Sequence, residues 1–458
     1  MSIADLTLAI NITRHRYTLI YTSIILCFLT STAYARTHND SLSGDPKVLK
    51  LADCIHYALQ NQAALKQSQI DESVAKTNNW IGFSGWMPQV NGSAIYNHYY
   101  QLPTAFSGNQ QIVSGAPYVA IPSVTATQTI FSNDVFLAAS AAHLNTKYAS
   151  QNTEAVKIGL ISNVTKAFYD LLLTLEQINV LKEDTARLSK NKQDTYYQYM
   201  SGIVDKVDYK QATIALNNTT AQLKSANEII AAKYATLNQL IGLVNEQKYT
   251  VAFDTAQMMQ EVYFDTSELL DYNKRIEYRQ LQVSKRFQKE TTLYYQLGFL
   301  PSISAFYNYN YEYESTQYST LFNNAYPYSL FGLTLNIPIF QGFRRIENIH
   351  KSKLQEQRVD WDEVNLKLSI ISDYKRAISE YKSNAINLVA QGENVQLAKE
   401  VYNIVQLQYK EGIKTYLNVI TAESDLRTSE INYLNALFQL LSSKIDLQRA
   451  MGDINPNQ

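Results

Sequence analysis

Two stretches, Gln198–Ile203 and Gln408–Ile413, share the pattern Q-Y-x-x-G-I and precede a concentration of charged and polar side chains. Asp205, Lys206 and Asp208 follow the first. Lys414, Asn418, Thr421 and Glu423 follow the second, with Asn418 standing at the position equivalent to Asp208. Groups of this kind can do electrostatic work, and Lys410 and Lys414 can favour the C-terminal end of a helix. They form no catalytic constellation. H-E-x-x-H, G-x-S-x-G, phosphate-loop and dinucleotide patterns are missing. The six histidines, at 15, 40, 56, 98, 143 and 350, include no metal-ligand pair at i, i+4. The sequence predicts a non-enzyme without metal or cofactor, and nothing in it suggests nucleotide hydrolysis.

The elements that hold these groups are marked out by proline. Prolines fall at 46, 88, 103, 117, 122, 301, 327, 338 and 456, which leaves two long tracts free of them. Proline breaks helix interiors, so helices can run through those tracts. The stretches 132–200 and 341–410 would each be close to 100 Å long at about 1.5 Å per residue. Val164, Phe168, Leu171, Leu175 and Ile178 form a 4-3-4-3 seam, and Ile431, Leu434, Phe438, Leu441 and Ile445 repeat its rhythm. Glycine is costly inside a helix, by about 1 kcal/mol against alanine, but it tolerates positive φ. Gly202 and Gly412 are therefore read as the points where a long helix stops and the chain reverses.

An offset of 210 residues aligns Lys166–Gly242 with Arg376–Gly452 without a gap and pairs Gly202 with Gly412 and Gly242 with Gly452. At that offset the first seam falls on Tyr374, Ile378, Tyr381, Ala385 and Leu388. The register points to an internal duplication. The proline-bearing islands read as strands. Ile303, Ala305, Tyr307, Tyr309, Tyr311 and Tyr313 alternate with mostly polar residues, and Phe331, Leu333, Leu335, Ile337 and Ile339 repeat the alternation. Residues 90–100 and 123–131 alternate more weakly, and a polar loop joins the strands of each pair. The plan is a first repeat over 49–243, with a strand pair about 87–131 and a turn at 200–206. A linker at 244–264 leads to a second repeat over 265–452, with strands about 300–340 and a turn at 410–416. A tail follows at 453–458.

Lysine plus arginine, 40, nearly balances aspartate plus glutamate, 41, so no basic excess points to nucleic acid. Arg14 and Arg16, a short apolar run and Ala33-Tyr34-Ala35 read as a signal peptide over 1–35. The alternatives are a membrane anchor, for which the run is short, and lipidation at Cys27, which lies behind bulky Leu26. Cys54 is left without a partner, on one helical face with Leu51 and Ala58, and reads as a small buried hydrophobe. No later segment has the length of a transmembrane helix. Strands could still cross a membrane, yet four cannot close a barrel. Two copies would supply eight strands with a filled interior, and three would supply twelve around a lumen.

In this order, "LADCIHYALQNQAAL", "LPSISAFYNYNY", "LNIPIFQGFRR", "YKEGIKTYLNVITAESDL" and "RAMGD" resemble the TolC family of outer-membrane efflux proteins, over nearly the whole exported chain. The resemblance implies a mixed α and β membrane protein, mainly very long α-helical hairpins. Its four β-strands per chain would enter a twelve-stranded barrel in the outer membrane, built by a homotrimer. It implies an exit duct for efflux or type I secretion, extending into the periplasm and served by a periplasmic adaptor protein and an inner-membrane transporter. It places Gly202, Ile203, Gly412 and Ile413 at adaptor-contacting tips. Many members carry an acidic ring where this chain has Asn418 and Thr421. Asp205 and Asp208 are then expected to supply the negative charge of the aperture, and Lys414 to pair with one of them. Two rival readings are a structural or adhesive coiled coil of the cell envelope, which leaves the strand pairs unexplained, and an adaptor subunit, which has one hairpin where this chain repeats it.

Overall fold

The computed structural model describes residues 48–108, 110–243, 249–251, 258, 262–265 and 269–456, all within one unit spanning 48–458. The signal-peptide reading and most of the 244–264 linker lie outside the described residues. A short strand β1 (Val48–Leu49) opens the unit. Helices α1 (Leu51–Asn61) and α2 (Ala63–Ser84) follow and are separated by Gln62 in extended backbone. Gln62 accepts the amide proton of Leu65 on its side chain, which caps α2 as it starts. Strand β2 (Gln89–His98) leads into a small hairpin, β3 (Thr104–Ser107) with β4 (Gln110–Val113), and then β5 (Tyr118–Phe131). Next come α3 (Asn133–Met200) and α4 (Lys206–Ile241). Strand β6 (Thr250–Val251) pairs in parallel with β1. The remainder is α5 (Ile276–Leu297), β7 (Ser302–Ser315), β8 (Ala325–Asn336), α6 (Arg344–Lys410) and α7 (Tyr416–Met451).

The order helix, strand pair, very long helix, return helix thus occurs twice. The long helices α3 and α6 have 68 and 67 residues, and α4 and α7 have 36 each. Ser132 caps α3 by accepting from the Val135 amide at 3.3 Å. Helix α6 starts three residues later than expected, at Arg344. Gly342 and Phe343 both take positive φ, 57° and 62°, so the chain turns through two left-handed residues before it can wind.

The expected seam is the core. Val164, Phe168, Leu171 and Ile178 are buried, with Leu434 and Leu441 of α7 and Tyr381 and Leu388 of α6, and Leu175 packs beside them. Cys54 is buried in the same cluster, and burial pushes its thiol up to about 12, consistent with an inert hydrophobe. Helix α3 does contain an 18-residue window apolar enough to cross a membrane by length and composition. However, 56% of that window is buried against its neighbours, which makes it a core helix.

The four long strands form one antiparallel sheet in the order β2-β5-β7-β8. Their register sorts the residues onto two faces. Tyr309 lies opposite Val124 and Ser329, Tyr307 opposite Ala126 and Phe331, and Ala305 opposite Leu333. Val90 and Gly92 extend this apolar face onto β2. Asn308 and Asn310 lie on the other face with Thr125 and Ser123, and the only Asp, Glu, Lys or Arg in the four strands, Glu312 and Glu314, share their parity. The apolar face is open: Tyr307, Tyr309, Tyr311, Phe331, Leu333 and Leu335 are all exposed. The β5–β7 pairing skips Ile121–Pro122, where proline offers no N–H, and its register shifts between Thr129 and Phe131.

Three expectations need correction here. Strand β8 ends at Asn336, so Ile337 and Ile339 lie beyond it, because Pro338 cannot continue the ladder. Strand β5 begins at Tyr118, five residues before the visible alternation. The polar loop of the first pair contains the β3–β4 hairpin.

If lipid covers the apolar face, Tyr309→Arg should cost about 2–4 kcal/mol and sharply lower the yield of membrane-inserted protein, while Asn308→Arg on the opposite face should not. Heat-modifiability on gels after detergent extraction reads this directly. Equal losses for both variants would remove the two-faced reading.

Candidate functional site

Both hairpin tips are built by the same hydrogen bonds. The Gly202 amide donates to Tyr199 O and the Ile203 amide to Gln198 O, at 3.0 and 2.9 Å. In the second tip the Gly412 amide donates to Tyr409 O and the Ile413 amide to Gln408 O, at 3.0 and 2.8 Å. Gly202 and Gly412 have φ 72° and 71°. This is a left-handed glycine closing each helix with a six-to-one bond to the glutamine carbonyl. The residue after such a glycine often packs back on its own helix. Ile203 and Ile413 do not, being 73% and 70% exposed. With Met200, Val207 and Leu417, also exposed, they make the tips apolar.

The two motifs touch each other. Tyr409 of α6 donates its hydroxyl proton to Gln198 Oε1 of α3 at 3.0 Å. Burial, with Asp208 and Asp194 nearby, pushes the Tyr409 phenol up, so it stays a donor.

The expected aperture residues are at the tips, with jobs the sequence did not disclose. Asp205 is the N-cap of α4 and accepts from the Val207 amide at 3.3 Å. Asp208 lies one turn on, where its charge suits the helix N-terminus. Asn418 Oδ1 accepts from both the amide and the hydroxyl of Thr415, at 3.2 and 2.9 Å, and so closes the start of α7. Thr421 is exposed and donates to its own helix at Leu417 O. Lys414 is exposed, and within the chain no described carboxylate pairs with it.

Position in the sequence groups Glu423 with the tip, but it is 1% exposed. It belongs to a buried charged node between the hairpins. Asp184 of α3, 0% exposed, accepts from Arg187 at 2.9 Å and from Arg427 of α7 at 2.7 Å. Glu423 accepts from Arg187 Nε at 3.2 Å and Asn191 Nδ2 at 3.4 Å. Arg427 also donates to Thr219 of α4 at 2.8 Å, and Arg187 lies 5.9 Å from the centre of the Tyr402 ring of α6. All four long helices thus meet at one polar point. The signal is present in the sequence as carboxylates in apolar seams. Leu181, Asp184 and Leu188 keep the 3-4 rhythm, as do Tyr416, Val419, Glu423 and Leu426.

Known proteins resemble this chain in sequence and in fold. The family described as "Outer membrane efflux protein" matches residues 54–243 and 294–453. An outer membrane protein TolC of Vibrio cholerae is 19% identical over 444 residues, 95% of each chain. The cation efflux system protein CusC of Escherichia coli K12 is 22% identical over 414 residues, 87% of this chain and 85% of that one. The crystal structure of the Campylobacter jejuni CmeC outer membrane channel has a TM-score of 0.72 at 19% identity, covering 89% of this chain and 87% of that chain. With two family segments reaching from its first helix to its last, the chain belongs to the outer membrane efflux protein family.

Proposed function

We propose that three copies of this chain assemble into one duct, a twelve-stranded barrel in the outer membrane continued by a helical tunnel into the periplasm. The carrying observation is the sheet. It has one open apolar face, and among the described residues its outer strands β2 and β8 have partners on one side only. In lipid, unpaired backbone groups are prohibitive, so both edges need a neighbour. Eight strands leave an interior filled by side chains, whereas twelve leave room for passage. Native mass spectrometry of the detergent-extracted protein tests the stoichiometry: a trimer is expected, and a stable dimer or monomer would oppose the reading.

The two equal runs of elements are read as an internal duplication, with repeats over 49–243 and 265–452. Outer-membrane lipid would cover the face bearing Tyr307, Tyr309, Tyr311, Phe331, Leu333 and Leu335. Ile203 and Ile413, exposed beside Gly202 and Gly412, suit docking of a periplasmic adaptor, with an inner-membrane transporter supplying energy. A purely adhesive coiled coil has no use for a sheet with an open apolar face and unpaired edges.

Lys414, unpaired with any described carboxylate of its own chain, is read as the partner of Asp205 or Asp208 of a neighbouring copy, a contact that would hold the aperture narrow. Lys414→Gln should raise resting conductance in a planar bilayer, and unchanged conductance would remove this contact from the account. As a surface-type pair it is worth no more than about 1 kcal/mol, so a modest rise is expected.

A further inference from the structure

The node of Asp184, Arg187, Glu423 and Arg427 joins two hairpins that otherwise meet through apolar seams and a few surface bonds. Its two carboxylates come from different hairpins, have lost their water, and share Arg187. Arg187 remains about one-third exposed, so protons can reach the cluster from solvent. Nothing in the tip geometry requires such a cluster, because Gly202, Gly412 and the caps build the turns unaided.

We propose that these four side chains position the hairpins as a proton-responsive latch. With one proton held by the carboxyl pair, α7 stays locked on α3 and the periplasmic end stays closed; loss of that proton loosens α7 from α3. The first half of this statement concerns the chain itself, and the second rests on the duct reading.

The physical cause is burial of like charges. Glu423 is raised to about 7 from 4.5, by burial first and then by Asp184, with Arg187 opposing. Two adjacent carboxylates cannot both ionise freely in so dry a place. The packed node therefore binds a proton more tightly than separated, hydrated hairpins would. Its proton-linked stability is full below about pH 4.5 and is lost as the pH rises through about 7. The other groups facing Glu423 do not reverse this sign. On its own helix Arg427 donates to Asp184, while burial raises both Glu430 and Tyr416. From α3 come Asp184 and Arg187, with Glu183 near Glu430. From α6, Tyr402 is raised by burial and Lys399 adds positive charge near Glu430. From α4 the node receives the Thr219 hydroxyl.

Amide hydrogen exchange over 416–430, corrected for the intrinsic pH dependence of exchange, tests the latch without requiring conduction. Between about pH 6 and pH 8, protection in the wild-type protein should fall about tenfold. Glu423→Gln, which keeps the shape and cannot ionise, should hold its protection at both values. Asp184→Asn removes the same repulsion and serves if the first variant folds poorly. A flat wild-type profile, or a glutamine variant that loses protection with pH as the wild type does, overturns the proposal. A merely structural role would lower thermal stability in the variants without flattening the profile, and that result also overturns it. In bilayers, resting conductance should rise with pH in the wild type only; complete absence of conductance with the exchange result intact would strike the duct reading and leave the latch standing.

Discussion

Gly452→Ala is expected to destabilise the protein far more than Gly412→Ala, although both glycines are left-handed and end a long helix. Gly412 has φ 71°, and a methyl group added there would meet nothing within 4 Å. Its replacement meets only the strain of a left-handed alanine, roughly 1–2 kcal/mol. Gly452 has φ 81°, and an added Cβ would lie 2.6 Å from Lys274 C and 2.7 Å from Lys274 O. Those are backbone atoms ahead of α5 and cannot swing aside. Overpacking of this kind adds about 1–3 kcal/mol, for a total of roughly 2–5 kcal/mol. Gly242 repeats the arrangement in the first half, with Asn61 C and O both 2.8 Å away at the break between α1 and α2. In each half, then, the glycine that ends the return helix presses on the backbone near that half's leading helix. Thermal unfolding of the four single alanine variants orders them: Gly242 and Gly452 should fall well below Gly202 and Gly412. Equal shifts at all four sites would remove the close-approach argument.

Arg427→Ala should be strongly damaging although it lies outside the apolar core. Asp184 is fully buried and takes its 2.7 Å bond from Arg427. Breaking a buried pair by removing one partner typically costs about 3–5 kcal/mol, because the remaining charge stays buried. Arg187 still touches Asp184, which places the loss toward the lower end of that range. The companion double variant, Asp184→Leu with Arg427→Met, removes both charges and should recover most of the loss. Denaturant midpoints for Asp184→Leu, Arg427→Met and the double variant measure the coupling. A near-zero coupling energy would mean that the node contributes little to holding the hairpins together.

Much of the fold is legible in the sequence because its signals are long-range and simple in physics. The two proline-free tracts hold α3 with α4 and α6 with α7, and the Val164–Ile178 seam is core. Tyrosine alternation from Tyr307 to Tyr313 is one face of β7. What the sequence hides is local or three-dimensional. Ile337 continues the alternation of β8, yet Pro338 ends the ladder one residue earlier. The Gly108-Asn109 pair is a readable hairpin signal inside a segment whose polarity suggests loop. Asp184 and Glu423 are hidden by their own periodicity: a carboxylate in a heptad seam becomes conspicuous only when its partner is known. That partner lies on another helix, more than two hundred residues away. The tip charges can be found by type but not by role, because Asp205 and Asn418 serve first as helix caps.

The central claim is that several copies of this chain enclose one continuous passage. Single-channel recording on the purified, size-selected oligomer addresses it most directly. Discrete, uniform conductance steps are expected from the oligomer, and none from chains dissociated before addition. Oligomer that inserts stably into the bilayer and passes no current, with its hairpin tips both intact and deleted, would contradict the claim.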